Sequence, residues 1–366
     1  MKINIIGPYP PPYGGISIHI KRLYQKLKSL NIESNIYCEN KINIDNNEIK
    51  SLKLKKFILL SIFLKKNEII HLHTSGLKIR LIMSLISFLF SKKLIITVHG
   101  VSLEEEYNQL NKFGKIIYKF LLNKISYLIV VNSEIKDWCI KNEILLNRIE
   151  VIPAYINPIV SKNDYLKINK EVWDFIENSK KRNEKIITGN GNIRFFNQED
   201  LYGLDLLIEL IYLLKKDKYE VSLIFALLGY ENQSIDERCY FEKLLEKIRE
   251  YKIENYIFIY KVKNTEFYPI LDKTDIFIRP TNTDGDAISI REAIYLKKPN
   301  IASDIVKRPA GTILFKSREI KDLFKKVKYI LDNFDKEKNK LNNIETKEYY
   351  EAVLEVYKKV YKGNKK

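Results

Sequence analysis

Two acidic residues in the segment DIFIRPTNTDGDAISIREAIYLKKPNIASD (275–304) have a spacing that suits the binding of a polar ligand. Asp284 and Glu292 are eight positions apart, and the pattern predicts Asp284 in a polar loop and Glu292 in the helix that follows. Two carboxylates that cleave a glycosidic bond lie about 5 to 10 Å apart, whereas eight helical residues span roughly 12 Å. The spacing therefore favours two separate contacts, with the backbone N–H groups of residues 287–289 open to a phosphate between them.

All four histidines of the chain lie within its first hundred residues, at positions 19, 71, 73 and 99. His73 and His99 each end a predicted strand, in HTSG and TVHG, which places two imidazoles at one edge of a sheet. This pairing favours a polar-ligand site, although a strand-end histidine can equally serve a local hydrogen bond. His71 and His73 are expected to face opposite sides of their strand, which would exclude them as paired metal ligands.

The stretch GPYPPPYGGIS (7–17) follows the first predicted strand and precedes a predicted helix. Its prolines stiffen the loop, and Gly14 and Gly15 lie next to the helix N-terminus, where free N–H groups and the helix dipole favour an anion. The stretch matches neither GxGxxG nor GxxxxGK[ST], so it supports neither a dinucleotide fold nor a P-loop NTPase. Taken alone, it is either an anion site or a tight connector.

Short apolar runs alternate with amphipathic segments along the chain, which indicates parallel sheets with crossover helices. In the first half, strands are predicted at residues 3–6, 34–38, 68–73, 94–100, 127–133 and 150–154. In the second half, they are predicted at residues 185–191, 221–229, 256–260, 275–281 and 299–303. The segment AYINPIVSKND is typical of a linker. We therefore predict an α/β protein with two domains, residues 1–153 and 154–366, and a terminal helix at about 345–362.

The formal net charge of the chain is +17, and residues 1–153, with 20 Lys and 3 Arg against 12 acidic residues, hold +11 of it. This excess suits an anionic membrane surface or nucleic acid, or it reflects a genome biased toward Lys, Ile and Asn. No RNP-like motif, zinc-finger spacing or arginine cluster supports nucleic acid. The Lys-flanked run SLKLKKFILLSIFLKK (51–66) is the candidate membrane contact, with a helix packed on the sheet as the alternative.

Three widely spaced cysteines, Cys38, Cys139 and Cys239, lack metal-site spacing and are expected to be reduced thiols of a cytosolic protein. The N-terminus has no basic segment followed by a long apolar run, and no apolar stretch reaches the ~20 residues that a membrane span needs. We therefore expect a cytoplasmic protein that is either soluble or peripheral at the inner membrane face.

The segment DGDAISIREAIYLKKPNIASD resembles the motif of the family-4 retaining glycosyltransferases, in which two acidic residues enclose seven positions and a small-residue helix leads to a Pro. PPYGGISIH, HLHTSG, TVHG and VIPAYINP resemble further parts of that family, so the resemblance covers nearly the whole chain. It implies the GT-B fold, in which two Rossmann-like domains face each other across a cleft. It also implies a C-terminal helix that crosses back to the first domain.

The resemblance implies roles for individual residues. Glu292 would bind the ribose hydroxyls of a nucleotide, and Asp284, one methylene shorter than the family's Glu, would contact the transferred sugar. His99 would lie near the reacting carbon, so Asp284, Glu292 and His99 form the expected catalytic group. Besides Glu292, the expected donor-binding residues are Gly14, Gly15, Arg194, Gly285, Asp286, Ala287, Ile288 and Ser289. The expected acceptor-side residues are His19, His73, Thr74 and Ser75.

This sequence departs from that family at the phosphate clamp, and it also contains a pattern that binds a metal in another fold. The family clamps the donor phosphates with an Arg and a Lys, whereas here Arg194 would act alone, because Tyr202 occupies the Lys position and cannot replace a cation. Asp284-Gly285-Asp286 also matches the DxD pattern that holds a divalent metal in another glycosyltransferase fold. That DxD lies early in a single domain, so we expect no metal here.

The function implied by the resemblance is that of a retaining, metal-independent hexosyltransferase without a cofactor. It would move a sugar from a nucleotide sugar to a glycan or polyprenyl-linked acceptor in bacterial-type surface polysaccharide synthesis, with no nucleic-acid partner. The alternatives are a nucleotide-sugar epimerase or a phosphorylase on the same fold, and a non-catalytic basic protein that binds a membrane surface or nucleic acid.

Overall fold

The computed structural model describes residues 1–38, 48–73, 76–100, 102–144, 147–263 and 265–363. The chain divides into two compact units. Unit 1 comprises Met1–Ile156 together with Glu348–Lys366, and unit 2 comprises Asn157–Lys347. The first boundary therefore lies three residues after the predicted one at residue 153.

Unit 1 is built on a parallel sheet whose strands read as nearly continuous apolar runs, as expected where both faces of a sheet are covered. The seven strands are β1 (Lys2–Ile6), β2 (Glu33–Cys38), β3 (Ile49–Ser51), β4 (Ile69–Leu72), β5 (Lys93–Val98), β6 (Tyr127–Val130) and β7 (Ile149–Val151). Their order in the sheet is β3-β2-β1-β4-β5-β6-β7. Six of the seven were predicted. The sequence analysis missed β3, because its three residues, IKS, are too few to show a pattern.

The helices of unit 1 cover both faces of this sheet. They are α1 (Gly15–Ser29), α2 (Leu54–Phe63), α3 (Leu77–Leu89), α4 (Ser102–Asn108), α5 (Lys112–Leu122) and α6 (Ser133–Lys141). Buried side chains of α1 pack with Ile3 and Ile5 on one face of the sheet, whereas α2 to α6 pack with Ile70 and Leu72 on the other. Within β4, Ile69 packs on the α1 side and Ile70 on the opposite side, because successive side chains of a strand alternate between faces.

Unit 2 contains a second parallel sheet and a small antiparallel hairpin. Its strands are β8 (Lys185–Gly191), β9 (Phe195–Phe196), β10 (Glu199–Asp200), β11 (Val221–Leu227), β12 (Ile257–Lys261), β13 (Ile276–Arg279), β14 (Asn300–Ser303) and β15 (Thr312–Phe315). The parallel order is β12-β11-β8-β13-β14-β15, and β9 and β10 form a separate two-stranded sheet. All five predicted strands are confirmed, and β9, β10 and β15 were not predicted.

The described residues of unit 2 form eight α-helices. They are α7 (Lys162–Leu166), α8 (Lys170–Lys181), α9 (Leu204–Lys216), α10 (Ile235–Glu250), α11 (Tyr268–Lys273), α12 (Ile288–Tyr295), α13 (Ile320–Asp332) and α14 (Phe334–Lys340). Asp284 lies in the loop before α12 and Glu292 lies within α12. The predicted loop and helix positions of these two carboxylates are therefore confirmed.

The last helix, α15 (Tyr350–Lys362), packs on the sheet of unit 1. Val353, Val356, Tyr357 and Val360 form its buried stripe, with the spacing of one helical face. The backbone N–H of Tyr349 donates to the carbonyl of Tyr155 at 3.1 Å. The predicted return of the C-terminal helix to the first domain is therefore confirmed, and the helix begins five residues later than predicted.

Both parallel sheets share one topology, in which the chain starts in the middle, builds to one edge and then returns to build the other. Strand order reverses between β1 and β4 in unit 1 and between β8 and β13 in unit 2. Ligands of such sheets bind outside the carboxyl ends of the strands at this switch point. Among the described residues, no helix is long and apolar enough to cross a membrane.

Candidate active site

The four histidines form one cluster at the carboxyl edge of the unit 1 sheet. His71 lies on β4, His73 directly follows β4, His99 follows β5, and His19 lies on α1. His73 Nδ1 is 3.0 Å from His99 Nε2, and His73 Nε2 is 3.3 Å from His71 Nδ1. The ring centroids of His19 and His73 are 5.4 Å apart.

The prediction that His71 and His73 face opposite sides of their strand is wrong. Their ring centroids are 4.0 Å apart, because residues two positions apart on a strand share a face. The nitrogens of His71 already have hydroxyl neighbours, with Tyr357 Oη 2.6 Å from Nδ1 and Thr97 Oγ1 2.7 Å from Nε2. In the described part of the chain, no group of three or more side chains is arranged to hold a metal.

Burial keeps this cluster uncharged. It lowers the pKa of His19 to about 4 and that of His71 to about 3, and burial together with the neighbouring histidines holds the pKa of His73 well below its usual range. Burial also lowers the pKa of His99, whose side chain is only partly buried. His99 is thus a neutral imidazole and the one member of the four with appreciable exposure, which suits a ligand contact.

This cluster should make the stability of unit 1 fall as the solution becomes acidic. A histidine with a lowered folded-state pKa binds its proton more readily in the unfolded chain, so its contribution is fully present above pH ~6.5 and is lost as the pH falls toward the folded pKa values of about 4 and about 3. Each such histidine adds a slope of at most about 1.4 kcal/mol per pH unit to the free energy of unfolding.

Urea unfolding between pH 7.5 and pH 4.5 measures this slope, with Trp138 as the reporter of unit 1 in a Trp173→Phe background, because these are the two tryptophans of the chain. Replacing His19 by Gln should lower the slope of the free energy of unfolding against pH by at most about 1.4 kcal/mol per pH unit, the contribution of one histidine. A pH-independent midpoint above pH 5 would contradict the prediction.

The loop between β1 and α1 approaches this cluster closely. A Cβ on Gly7 would lie 2.6 Å from Ile20 Cδ1 and 3.0 Å from His73 Cβ, so a larger residue there would force Ile20 or His73 to shift. Gly14 is the N-cap of α1 and Gly15 its first residue, as predicted from the sequence. The Ser17 hydroxyl donates to the Pro12 carbonyl at 2.8 Å, and it accepts from the Gly14 N–H at 2.8 Å, which ties the loop to the helix.

Thr74 and Ser75, predicted on the acceptor side, lie outside the described residues. The N–H of the next described residue, Gly76, donates to Glu106 at 3.1 Å. Glu106 also accepts from the Tyr118 hydroxyl at 3.0 Å and pairs with the buried Arg80 at 2.8 Å. This network anchors the start of α3 beside the histidine cluster.

At the switch point of unit 2, two arginines enclose the carboxylate of Asp284. Arg279 ends β13, and Arg308 follows β14, the neighbouring strand. The oxygens of Asp284 accept from five donors at 2.9–3.3 Å, namely Arg279 Nε, Arg279 Nη2, Arg308 Nη1, Thr281 Oγ1 and the Gly285 N–H. An ionised carboxylate offers about four lone-pair sites, so protein groups saturate Asp284.

The charges of this cluster decide the state of Asp284. Burial by itself would raise the pKa of the Asp284 carboxyl, but the charges and hydrogen bonds of Arg279 and Arg308 outweigh burial and lower the pKa to about 2. Two cations share one anion, so the cluster keeps a net positive charge. The side chain of Arg308 is 2% exposed and that of Arg279 is 13% exposed, so Arg279 is the member that a ligand can reach more easily.

Asp286, the other carboxylate of the DxD pattern, is also paired with an arginine. Arg291 Nε donates to its two oxygens at 2.8 and 3.0 Å. Burial raises the pKa of Asp286, and Arg291 opposes this effect. Each carboxylate of the pattern is therefore engaged by guanidinium groups, so the two are not arranged as a pair that converges on a cation.

The N-terminus of α12 has the geometry expected of a phosphate site. Ala287 is the N-cap and Ile288 and Ser289 form the first turn, so their backbone N–H groups lie at the positive end of the helix. Glu292 is buried on the second turn. The predicted order of Asp284, helix N-terminus and Glu292 along this element is therefore present, and the role of each residue stays a prediction.

Arg194 and Tyr202 lie on either side of the β9–β10 hairpin. They occupy the positions at which the family has the Arg and the Lys that clamp the donor phosphates. Arg194 is exposed. The Tyr202 ring packs on Gly191, where a Cβ would lie 2.3 Å from the ring, so a side chain at 191 would displace it. The guanidinium of Arg279 lies 5.2 Å from the Tyr202 ring centroid. Arg279, the last residue of β13, therefore places a cation beside Tyr202.

Sequence reasoning missed Arg279 and Arg308 as site residues. Arg279 could have been found, because it is the last residue of a strand that borders the switch point. Arg308 had no such signal, because it lies in a loop 24 residues from Asp284 and meets it only through the pairing of β13 with β14.

The arginine cluster, α12 and Glu292 all lie within one segment that has known relatives. Residues 177–348 match the sequence family of glycosyl transferases, group 1. The matched residues cover most of unit 2. No curated protein sequence matches the chain significantly.

Several solved structures share the fold over nearly the whole chain. HepE from Anabaena, in complex with UDP-glucose, has a TM-score of 0.71 at 13% identity, with 99% of this chain and 98% of HepE covered. A glycosyltransferase from Rickettsia africae has a TM-score of 0.71 at 17% identity, with 99% of both chains covered. WaaG, a glycosyltransferase involved in lipopolysaccharide biosynthesis, has a TM-score of 0.64 at 10% identity, with 98% of this chain and 99% of WaaG covered. The predicted GT-B fold is confirmed, and membership of family 4 stays a prediction.

Proposed function

We propose that the protein is a retaining glycosyltransferase that moves a hexose from a nucleotide sugar to a glycan or polyprenyl-linked acceptor in surface polysaccharide synthesis. The observation that carries the proposal is the element from Arg279 to Glu292. It lies at the switch point of the unit 2 sheet and inside the segment that matches the group 1 glycosyl transferases. HepE binds UDP-glucose, so a uridine nucleotide is the first donor to test.

In this proposal unit 2 binds the donor. Glu292 would accept hydrogen bonds from the ribose, and the first turn of α12 would hold the phosphates or the sugar hydroxyls by backbone N–H groups. Arg279, stacked on Tyr202, would supply the cation that the family places at the tyrosine position. The net positive Arg279–Asp284–Arg308 cluster would then stabilise the negative charge that develops on the leaving diphosphate.

The proposed reaction needs no metal and no cofactor. Asp284 and Asp286 are already neutralised by arginines, which supports charge stabilisation by guanidinium groups in place of a divalent ion. In a retaining transfer without a protein nucleophile, the donor phosphate takes the acceptor proton on the face from which it leaves. The protein then contributes positioning and electrostatic stabilisation.

The acceptor would bind at the carboxyl edge of the unit 1 sheet. His99 is neutral and partly exposed there, so it can donate or accept a single hydrogen bond without carrying a charge. His19 and His73 are buried behind it and would position its ring. WaaG is involved in lipopolysaccharide biosynthesis, which supports an acceptor of the glycolipid or polysaccharide class. A cytoplasmic location for the transfer is part of the proposal.

A panel of UDP, GDP, ADP and their sugars tests the proposal through thermal stability. A ligand present at one hundred times its Kd should add about 2.7 kcal/mol to the free energy of unfolding, which raises the melting temperature measurably. We expect one nucleotide series to stabilise the protein and the others to leave it unchanged. Release of the nucleoside diphosphate, with NMR of the anomeric proton, then reports transfer and its stereochemistry.

Two of the rival functions and the metal alternative have their own outcomes in the same experiment. Conversion of the nucleotide sugar to its epimer without an acceptor would identify an epimerase. Absence of stabilisation by every nucleotide would reject the donor site and leave a non-catalytic binding protein. Loss of transfer in EDTA would reject metal independence.

A further inference from the structure

Helix α5 exposes an apolar stripe to solvent. Phe113, Ile116, Ile117 and Phe120 are 70%, 66%, 39% and 48% exposed, and their spacing places them on one face of the helix. The opposite side of α5 packs into the unit 1 core through buried residues such as Tyr118 and Leu122. A helix that is apolar on its outer face as well as its inner face lacks a partner on the outside.

The neighbouring helix α3 extends this surface. The rings of Phe88 and Phe120 meet edge to face with centroids 5.6 Å apart, so the exposed parts of the two helices are contiguous. The α3–α5 face comprises Leu85, Phe88, Leu89, Phe90, Phe113, Ile116, Ile117 and Phe120, all of them exposed. Eight large apolar side chains in one region differ from the singly scattered exposed residues that any soluble protein shows.

The charged residues on α3 and α5 themselves are all basic. Residues 107–133 contain four lysines and no acidic residue, and α3 contains no acidic residue either. Lys124 Nζ lies 5.2 Å from the Phe120 ring centroid and 5.7 Å from that of Phe88, at the border of the face. Lys119 pairs with Glu143, so part of the lysine charge is compensated locally.

We propose that the α3–α5 face docks on the surface of an anionic lipid bilayer, with α5 lying in the plane of the interface. Apolar side chains flanked by lysines are the composition that binds such a surface, because the rings enter the acyl boundary while the ammonium groups meet the headgroup charges. A second copy of the chain is a poorer occupant, because a self-complementary contact would bring like-charged lysine borders together.

This surface differs from the one predicted from the sequence. The run 51–66 forms α2, whose Phe57 and Ser61 are buried, so that one side of the helix packs against the unit 1 core. Its exposed lysines remain a candidate for a secondary electrostatic contact. The α3–α5 face carries the apolar contribution that lysines alone do not provide.

Co-sedimentation of the full chain with phosphatidylglycerol-containing vesicles and with pure phosphatidylcholine vesicles tests the proposal. It requires no sugar transfer, so its result is independent of the proposed function. The triple variant Phe113→Ser, Ile116→Ser and Phe120→Ser should lower the partition coefficient on anionic vesicles at least ~tenfold. The matched control, Ile159→Ser, Leu166→Ser and Ile235→Ser, changes three exposed apolar residues of unit 2 and should bind like the parent.

A second variant, Lys112→Gln, Lys115→Gln and Lys124→Gln, should reduce binding to anionic vesicles and leave the weak binding to phosphatidylcholine unchanged. All the substituted side chains are exposed except that of Lys115, which is partly buried. Melting temperatures equal to that of the parent would show that the variants keep the fold. Equal vesicle binding by the parent and the apolar triple variant would overturn the proposal, as would a parent that binds no anionic vesicle. Sedimentation velocity that shows a dimer of the parent and a monomer of the apolar variant would also overturn it, in favour of a second copy.

Discussion

Replacing Glu292 by alanine should weaken the binding of free nucleoside diphosphate by roughly two to four decades. Glu292 is a buried carboxylate on the second turn of α12, one turn beyond the backbone N–H groups that would hold the phosphates. A carboxylate that accepts from two ribose hydroxyls makes two charge-assisted hydrogen bonds, each worth about 1.5 to 3 kcal/mol. Calorimetric titration with the nucleotide that stabilises the protein most measures the change in Kd.

Two companion variants show what the result means. Glu242→Ala removes an exposed glutamate on α10 and should leave the nucleotide Kd unchanged. Asp286→Ala, measured with and without EDTA, reports on the metal alternative. That alternative predicts that the substitution and the chelator each weaken nucleotide binding relative to the parent without EDTA. Normal nucleotide binding by Glu292→Ala, combined with loss of transfer in EDTA, would reject the assignment of Glu292 to the ribose. It would favour a divalent metal bound by Asp284 and Asp286 instead.

Replacing Asp284 by alanine should lower the free energy of unfolding of unit 2 by about 3 to 5 kcal/mol, because it leaves two neighbouring guanidinium groups without their shared anion. Arg308 is nearly inaccessible to water and Arg279 mostly so, which prevents hydration from replacing the lost carboxylate. Urea unfolding, followed through Trp173 in a Trp138→Phe background, measures the effect in unit 2.

The exposed ion pair on α8 provides a matched control for this prediction. Asp174 pairs with Lys170 at 2.8 Å, with both side chains largely in solvent, so Asp174→Ala should cost less than about 1 kcal/mol. Adding Arg308→Met to Asp284→Ala should restore part of the lost stability, because the second substitution removes one of the two unpaired cations. If Asp284→Ala and Asp174→Ala have equal effects, Asp284 does not hold the two arginines together.

The sequence predicted the strands and the local order of the candidate donor site from patterns that depend on near neighbours. Apolar runs bounded by glycines and prolines located six strands of unit 1 and five of unit 2, because burial on both faces demands such runs. The segment around Gly285 showed where a loop ends and a helix begins, which placed Asp284 and Glu292 correctly. Short elements such as β3 contain too few residues for a pattern to emerge.

Contacts between distant residues could not be predicted in the same way. Asp284 was expected to face a sugar, but its oxygens accept from Arg308, which reaches it only because β14 lies beside β13 in the sheet. Tyr357 meets His71 across 286 positions because α15 returns to unit 1. The outer face of α5 illustrates the same limit, since periodicity shows that a helix has apolar residues but not which of them the sheet covers.

The sequence by itself therefore determined the fold class, most of the strands and the identity of the residues at their carboxyl ends, because local patterning and chain direction decide these. The tertiary structure decided which of those residues touch, which are neutral and which remain exposed. Strand order brings Arg279, Asp284 and Arg308 together, and burial within one sheet edge keeps the four histidines uncharged. Both outcomes depend on distances between groups that are far apart along the chain, and only packing of the complete units determines those distances.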